Sequence, residues 1–558
     1  MKMMKMKMIN YKIKTKMREF KKLKKLLLGV TVVSLVCISI SCDVEPEIYS
    51  EVLPDEFFQT PEQLSSATAV AYIPLGRHWE LTQNSSELLS DVATVAVRSN
   101  NGWDDGGVWP RLMSHDFTPD LAFVGDAWYW YNQGVSTSNR LIEVVSNAAG
   151  PDSPGVAELR ALRAFYFYNI LSIYGNIPIE SRFADADPTP SQVSPQEAFN
   201  FLEKELLESV DKLSESKGPD TYGKVNKWVG YTILTDLYLN SERITGVPKW
   251  QEAANAANVV INNGGYSLTS GYFANFRERN ESSTENIFII PFERNIFNGF
   301  VVRMQALHQS ATGTFDLTSA PWGGYAFQTE FYESFEDNDN RKGMFIVGQQ
   351  YTSKAGPNWS DTAGFNYANP SDEYILSNCI EDFDNYGGFQ DQLVGGCDIF
   401  ITPDYKEIDG RYPYRHGPRY GKYELRTGED IDISNDFPIY RLAGVLLARA
   451  EALWRLDNSN AESLVLVNQI RARAGLDALS SLSEDDLYHE IKKELALEGF
   501  SRPITIRFGH WEDDWFLKGK GSQKGQPSIN KNETFRRFHP IPLFAMQANP
   551  NLVQNPGY

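Results

Sequence analysis

Glu494 and Glu498, four residues apart in this 558-residue chain, are the side chains with the most obvious spacing for acid–base work. On a helix that spacing puts both on one face, and Glu512, Asp513 and Asp514 follow, so a carboxylate pair for glycoside hydrolysis can be nominated. The same spacing more often marks a salt-bridged helix surface, and Lys492 and Lys493 stand close by. Binding chemistry has a different signature. The segment from Arg98 to Asp120, RSNNGWDDGGVWPRLMSHDFTPD, sets Trp103 and Trp109 among Gly, Asn and Asp, and Ala320-Pro-Trp-Gly-Gly-Tyr325 does the same for Trp322. Such rings are either plugs that seat a loop on the body or platforms for a ligand. As platforms, Trp103, Trp109 and Trp322, with Tyr325 adjacent, would receive the C–H faces of a sugar, while Arg98, Asn101, Asp104 and Asp105 bond its hydroxyl edge. Gly102, Gly106, Gly107, Gly323 and Gly324 then remove side chains that would crowd a ring against the ligand.

Metal and thiol chemistry have weaker signatures. Seven His are scattered without an HExxH, and neither a CxxC nor a Cys/His metal spacing occurs, so neither metal nor cofactor is expected. Asp382-Phe-Asp384-Asn-Tyr-Gly387 begins like a calcium loop, but Tyr386 and Leu393 occupy the fifth and twelfth positions, where oxygen ligands are needed. A looser calcium site within 381–409 stays open. Of the four Cys, Cys37 lies in a leader and Cys42 at its end; Cys379 and Cys397 either pair or remain free thiols.

The leader is residues 1–41. It is Lys-rich up to Lys25, then apolar from Leu26 to Ile40, short for a membrane span and typical of a segment that is removed; Met17 is an alternative start for it. Ser39-Ile40-Ser41-Cys42 resembles a bacterial lipobox, which makes Cys42 the lipidated first residue and residues 42–60 a tether to one body spanning 61–558. The formal charge is −19, yet residues 1–41 hold eleven Lys and Arg against one Glu, so the processed chain carries −29 and nucleic acid is excluded as a natural partner.

The elements that must position these residues are mostly helical. Leu159 to Ile179 is apolar almost all round and demands wrapping by other helices, with Ser153 as cap, Pro154 as first helical residue and Gly175 at the end; Arg160, Arg163, Asn169 and Ser172 should meet partners at packing seams. Helices are also predicted near Pro61 to Tyr72, Trp128 to Val145, Pro195 to Leu213, Val225 to Leu239, Trp250 to Ile261, Phe437 to Trp454 and Ala461 to Gly475. In the 225–261 pair, Tyr231, Leu234, Leu237 and Tyr238 face Ala253, Ala254, Ala256 and Ala257, a large-on-small interlock close in length to the roughly 34-residue tetratricopeptide unit. Residues 264–436 differ: a strand at Asn286 to Phe292, many Gly and Asn, acidic clusters, Trp322 and Trp359. This irregular insert is the expected ligand surface.

Arg163-Ala-Phe-Tyr-Phe167 followed by Tyr174-Gly-Asn-Ile-Pro178 resembles the signature helix of the SusD/RagB-like family of outer-membrane nutrient-binding lipoproteins. Similar blocks continue in family order, from Tyr222-Gly-Lys-Val-Asn-Lys227 and Ser283-Thr-Glu-Asn-Ile-Phe288 through Asp339-Asn-Arg341, Pro438-Ile-Tyr-Arg-Leu-Ala443, Arg449-Ala-Glu-Ala452 and Glu494-Leu-Ala-Leu-Glu-Gly499 to Gln554-Asn-Pro-Gly-Tyr558. One departure is Ser501-Arg-Pro-Ile-Thr505, which replaces the usual basic-Asp-Leu run and with it any ion pair made by that Asp. The resemblance implies a mainly α fold, a right-handed superhelix of tetratricopeptide-like hairpins with a loop-rich insert containing short strands. It also implies a binding role without catalysis, in which the body docks as a lid on a SusC-like TonB-dependent transporter and captures an oligosaccharide at the outer membrane. Relatives that handle peptides keep a second ligand class open, as the carboxylate pair keeps a hydrolase open. The lipobox generates a first prediction: Cys42→Ala leaves a folded but unanchored protein, checked by fatty-acid labelling and protease shaving of whole cells, and a variant that stays lipid-labelled refutes it.

Overall fold

The computed structural model describes residues 60–350, 399–518 and 533–558, apart from residues 100, 310, 316, 407–410, 427, 429 and 430. The leader, Cys42, the tether, Trp359, Cys379, Cys397 and most of the calcium candidate within 381–409 lie outside the described residues. The principal helices are α1 (Pro61–Ala69), α2 (His78–Ser85), α3 (Ala122–Ala149), α4 (Pro154–Tyr174), α5 (Pro195–Val210), α6 (Lys227–Leu239), α7 (Trp250–Asn263), α8 (Leu442–Leu456), α9 (Ala461–Arg473), α10 (Glu484–Leu495) and α11 (Ser501–Arg507). Among short strands, β1 (Ala93–Val95) pairs antiparallel with β3 (Tyr325–Phe327), and β2 (Asn286–Ile290) with β4 (Phe437–Arg441).

Helix α4 is buried on nearly every face, so its neighbours must surround it. Three of the four polar groups expected at seams end there, while Asn169 donates to Phe165 O of its own helix at 2.8 Å. Arg163 donates to Asn139 Oδ1 of α3 at 2.7 Å and pairs with Glu205 of α5, Arg160 reaches the same Glu205 at 2.6 Å, and the Ser172 hydroxyl accepts from Arg243 at 2.8 Å. Ser153 holds the cap position, but its hydroxyl makes no capping bond; the start is set by Pro154 and the end by Gly175 at φ 74°.

From α3 to α8 each helix packs on the next, giving the tetratricopeptide-like stack of hairpins. The Ala face of α7 is the hinge of that order: Ala253, Ala254 and Ala257 are fully buried, and with no side chain beyond Cβ they let both α6 and α8 approach. Because α7 and α8 are neighbours in space, the segment 264–441 is an excursion between two stacked helices. The helix predicted from Phe437 begins only at Leu442. Phe437–Arg441 instead pairs with Asn286–Ile290, with a register shift between Pro438 and Tyr440, where Pro has no N–H to offer the ladder.

The expected salt-bridged surface at Glu494 and Glu498 is corrected: both are interior. Arg441, fully buried at the end of β4, donates to Glu494 Oε1 at 2.5 Å, to Glu498 Oε2 at 2.7 Å and to Glu285 Oε1 at 2.8 Å. Arg473 of α9 also binds Glu285 and Glu494, Arg341 of the insert binds Asp339, Glu490 and Glu494, and Lys422 binds Glu498 at 2.6 Å. Burial alone would push the Glu494 carboxyl up, but Arg473, Arg441 and Arg341 hold it well below the usual carboxylate range, and Glu285 is likewise depressed by Arg473 and Arg441. The Ser501 departure is absorbed nearby: buried Glu87 accepts from the Ser501 hydroxyl at 2.6 Å and from the Leu497 and Gly499 amides.

Removing one partner of such a network strands the others in the interior. Glu494→Ala is expected to cost about 3–5 kcal/mol in urea unfolding at neutral pH. Depressed carboxylates stabilise the fold above their unfolded value, so wild-type stability should fall as pH drops below roughly 4.3, and the variant should lose less over that range.

Candidate functional site

The loop carrying Trp103 is wound in an unusual backbone conformation. Asn101, Trp103 and Asp105 have φ of 66°, 62° and 45°, followed by Gly106 and Gly107 at 70° and 85°. Non-glycine residues hold positive φ only where their surroundings enforce it. Here the Arg98 amide donates to Gly102 O at 2.8 Å, Trp109 Nε1 to Asp105 Oδ2 at 2.7 Å and Trp103 Nε1 to Trp322 O at 3.0 Å. The last bond joins the early loop to the insert, across more than two hundred residues of chain.

The rings form one cluster. Trp103 and Trp109 lie 5.2 Å apart, each is 5.7 Å from Tyr325, and Trp109 packs on Phe123 at 4.5 Å. Their exposures differ. Trp109 and Tyr325 are buried, Trp103 is partly exposed, and Trp322 is 44% exposed at the rim. A Cβ on Gly324 would stand 2.1 Å from the Trp103 ring, so that glycine makes room for a protein ring, where the sequence suggested room for a ligand.

Two buried arginines hold the turn that presents Trp322. Arg98 donates to Gly324 O at 2.9 Å and His416 O at 3.0 Å; Arg419 donates to Gly323 O at 3.1 Å, Tyr325 O at 3.3 Å and Tyr414 O. His308 stays neutral beside them, pushed down to about 3 by burial and by Arg419 and Arg98. The Tyr325 hydroxyl, kept protonated chiefly by burial, donates to Asn84 Oδ1 at 2.7 Å.

The profile of the SusD family matches residues 262–558, which is more than half of the chain. The chain belongs to the SusD family. It is 25% identical over 509 residues to the starch-binding protein SusD of Bacteroides thetaiotaomicron, covering 86% of each chain. The fold is that of the surface glycan-binding protein A of Bacteroides thetaiotaomicron, at TM-score 0.67 and 19% identity over 90% of this chain and 100% of that one; the same protein has been solved with laminarihexaose, at TM-score 0.65 and 19% identity over 89% and 99%. A further structure, solved with a xylogluco-oligosaccharide, matches at TM-score 0.64 and 18% identity over 88% and 97%.

Within this family member the eight side chains nominated from sequence separate by depth. Trp322, Asn101 and Asp105 are exposed and Trp103 and Asp104 partly so, whereas Arg98, Trp109 and Tyr325 are buried and hold the two loops in place. Arg419, Tyr414 and Phe123 were missed, and no local motif marks them. The nominated carboxylates are elsewhere: Glu494 and Glu498 are in the network, Glu512 binds Arg537 at 2.6 Å, and Asp513 meets His510 at 2.8 Å. Among the described residues no group of three or more His, Cys, Asp or Glu is arranged to hold a metal ion.

Depth predicts opposite stabilities for the two tryptophans. Trp109→Ala should cost about 3–5 kcal/mol. Trp322→Ala, which keeps the main-chain bonds, should stay within about 0.5 kcal/mol of the parent in thermal unfolding. Equal losses would make Trp322 a plug.

Proposed function

We propose that this protein is a surface-exposed, lipid-anchored glycan-binding protein that captures oligosaccharides on the Trp322 rim and delivers them to a SusC-like TonB-dependent transporter in the outer membrane. The observation that carries the ligand assignment is the Trp322 ring, nearly half exposed yet fixed by a turn that two buried arginines grip. A flat apolar ring held open to solvent suits the C–H face of a sugar, and Asn101, Asp104 and Asp105 supply donors and acceptors for its hydroxyls. Family membership supports this reading, as do relatives whose names and complexes record starch, laminarihexaose and a xylogluco-oligosaccharide. Delivery to a transporter and anchoring through Cys42 rest on the family resemblance and the lipobox.

A glycosidase reading loses its main support, because Glu494 and Glu498 are buried and bonded to arginines, out of reach of a polymer. Binding is therefore the role assigned, with no chemical step. A ring–sugar contact contributes about 0.5–1.5 kcal/mol, so Trp322→Ala should weaken oligosaccharide binding up to roughly tenfold in calorimetric titration. Unchanged affinity would remove Trp322 from the site, and purification from mildly solubilised membranes without a barrel partner would refute the transporter assignment.

A further inference from the structure

The N-terminal part of α3 turns a second set of rings toward solvent. Asp126 stands at the middle of that face, and its neighbours three and four residues away on the helix surface are Phe123, Tyr129 and Trp130. Tyr129 is 49% exposed and Phe123 and Trp130 partly so, with the Tyr129 and Trp130 rings 5.3 Å apart and nearly perpendicular. Phe544, 47% exposed, lies against the same stretch, where a Cβ on Gly125 would stand 2.9 Å from its ring.

The carboxylate among these rings lacks donors. Asp126 is partly exposed, its oxygens keep accessible surface, and among the described residues it accepts no hydrogen bond. Burial raises its carboxyl above the usual value, and Arg77 offsets part of that. The Arg77 guanidinium is committed elsewhere: it pairs with Glu80 at 2.5 Å and stands over the Trp130 ring at 5.6 Å. With that cation beside it, the face does not favour a positively charged ligand. An accessible acceptor bordered by aromatic surface suits a molecule with O–H donors around its edge and C–H groups on its faces, which describes a neutral sugar.

The face is continuous with the Trp322 rim. Phe123 packs on Trp109 at 4.5 Å, Trp109 lies 5.2 Å from Trp103, and the Trp103 indole donates to Trp322 O. On the other flank, the electrostatic reach of Glu80 extends to Asp126 and to the Tyr325 hydroxyl. From Phe123 to Trp130 is two helical turns, about 10 Å along the axis, which adds room for a short run of sugar units.

We propose that a glycan seated on the Trp322 rim continues across α3, donating a hydroxyl to Asp126 and laying a ring face on Tyr129, so that the protein favours long chains over short ones. This rests on the glycan-binding reading above. The test is calorimetric titration of wild type, Asp126→Ala, Asp126→Asn and Tyr129→Ala with maltohexaose, laminarihexaose and a xylogluco-oligosaccharide, then with the shortest oligomer of the same series that the wild type still binds. On the long ligand Asp126→Ala should bind roughly tenfold more weakly and Tyr129→Ala roughly three- to tenfold, while Asp126→Asn, which keeps an acceptor oxygen, recovers part of the loss. On the shortest ligand all three should match wild type. Melting temperatures should hold or rise in the Asp126 variants, because a carboxylate without donors has been removed. Wild-type affinity of Asp126→Ala and Tyr129→Ala for the long ligand overturns the extension and leaves the Trp322 rim standing, and so does an equal loss at both lengths. A wild type that binds none of the three long ligands refutes the glycan reading and this inference together.

Discussion

Charges taken out of water must find counter-charges at close range, and at the base of the insert that requirement governs the whole architecture. Arg341, Lys422, Arg441, Arg471 and Arg473 face Asp339, Glu285, Glu490, Glu494 and Glu498, five against five. Each buried carboxylate of α10 and the turn after it, Glu490, Glu494 and Glu498, is held by a cation that comes from the insert, from β4 or from α9. A network of this kind is a weak source of net stability, because desolvation offsets most of the attraction. Its force is conditional: once the helices and the insert are together, no member can leave without exposing the rest.

The Trp322 rim hangs from this junction. Lys422 is locked to Glu498 and to Ala496 O, and Arg419, three residues earlier, reaches the carbonyls around Trp322. Between them Tyr420 packs on Tyr325 and Phe327, and its backbone pairs with Phe345. A short run of chain thus transmits the rigidity of the buried charges to a ring at the surface. That answers how a polar, glycine-rich loop can offer a fixed platform: Trp103 lies on Gly324, and its indole N–H is spent on the very turn it supports.

Periodicity was enough to read the stack of helices, because α4 is apolar on every face and α7 presents alanines to two neighbours. It misjudged Phe437–Arg441, where a local pattern compatible with a helix start yields to pairing with a strand about 150 residues away. The site was half legible. Tryptophans among glycines drew attention to two loops that do meet in space, but depth within the cluster depends on which ring reaches Phe123 and which meets solvent, and spacing in sequence does not encode that. Glu494 and Glu498 failed for the same reason: their arginines come from segments with no local relation to them, so the pair looked like a surface motif. Arg98 looked like a ligand-binding side chain because nothing in its neighbourhood foretells the carbonyls of Pro413 and His416.

The pairing of β2 with β4 has one more implication. Chain that departs after α7 and comes back before α8 does so through two antiparallel strands side by side, so the stack experiences the whole excursion as a closed loop with a fixed base. The entropy of closing a loop grows only with the logarithm of its length, so material added or lost beyond such a base changes the cost little. The molecule is therefore modular in the engineer's sense. A foreign region grafted distal to Asn286 and Arg441 would inherit the socket, provided that it brings its own lysine and arginine to fill the places that Lys422 and Arg341 now occupy and its own strand to pair with β1.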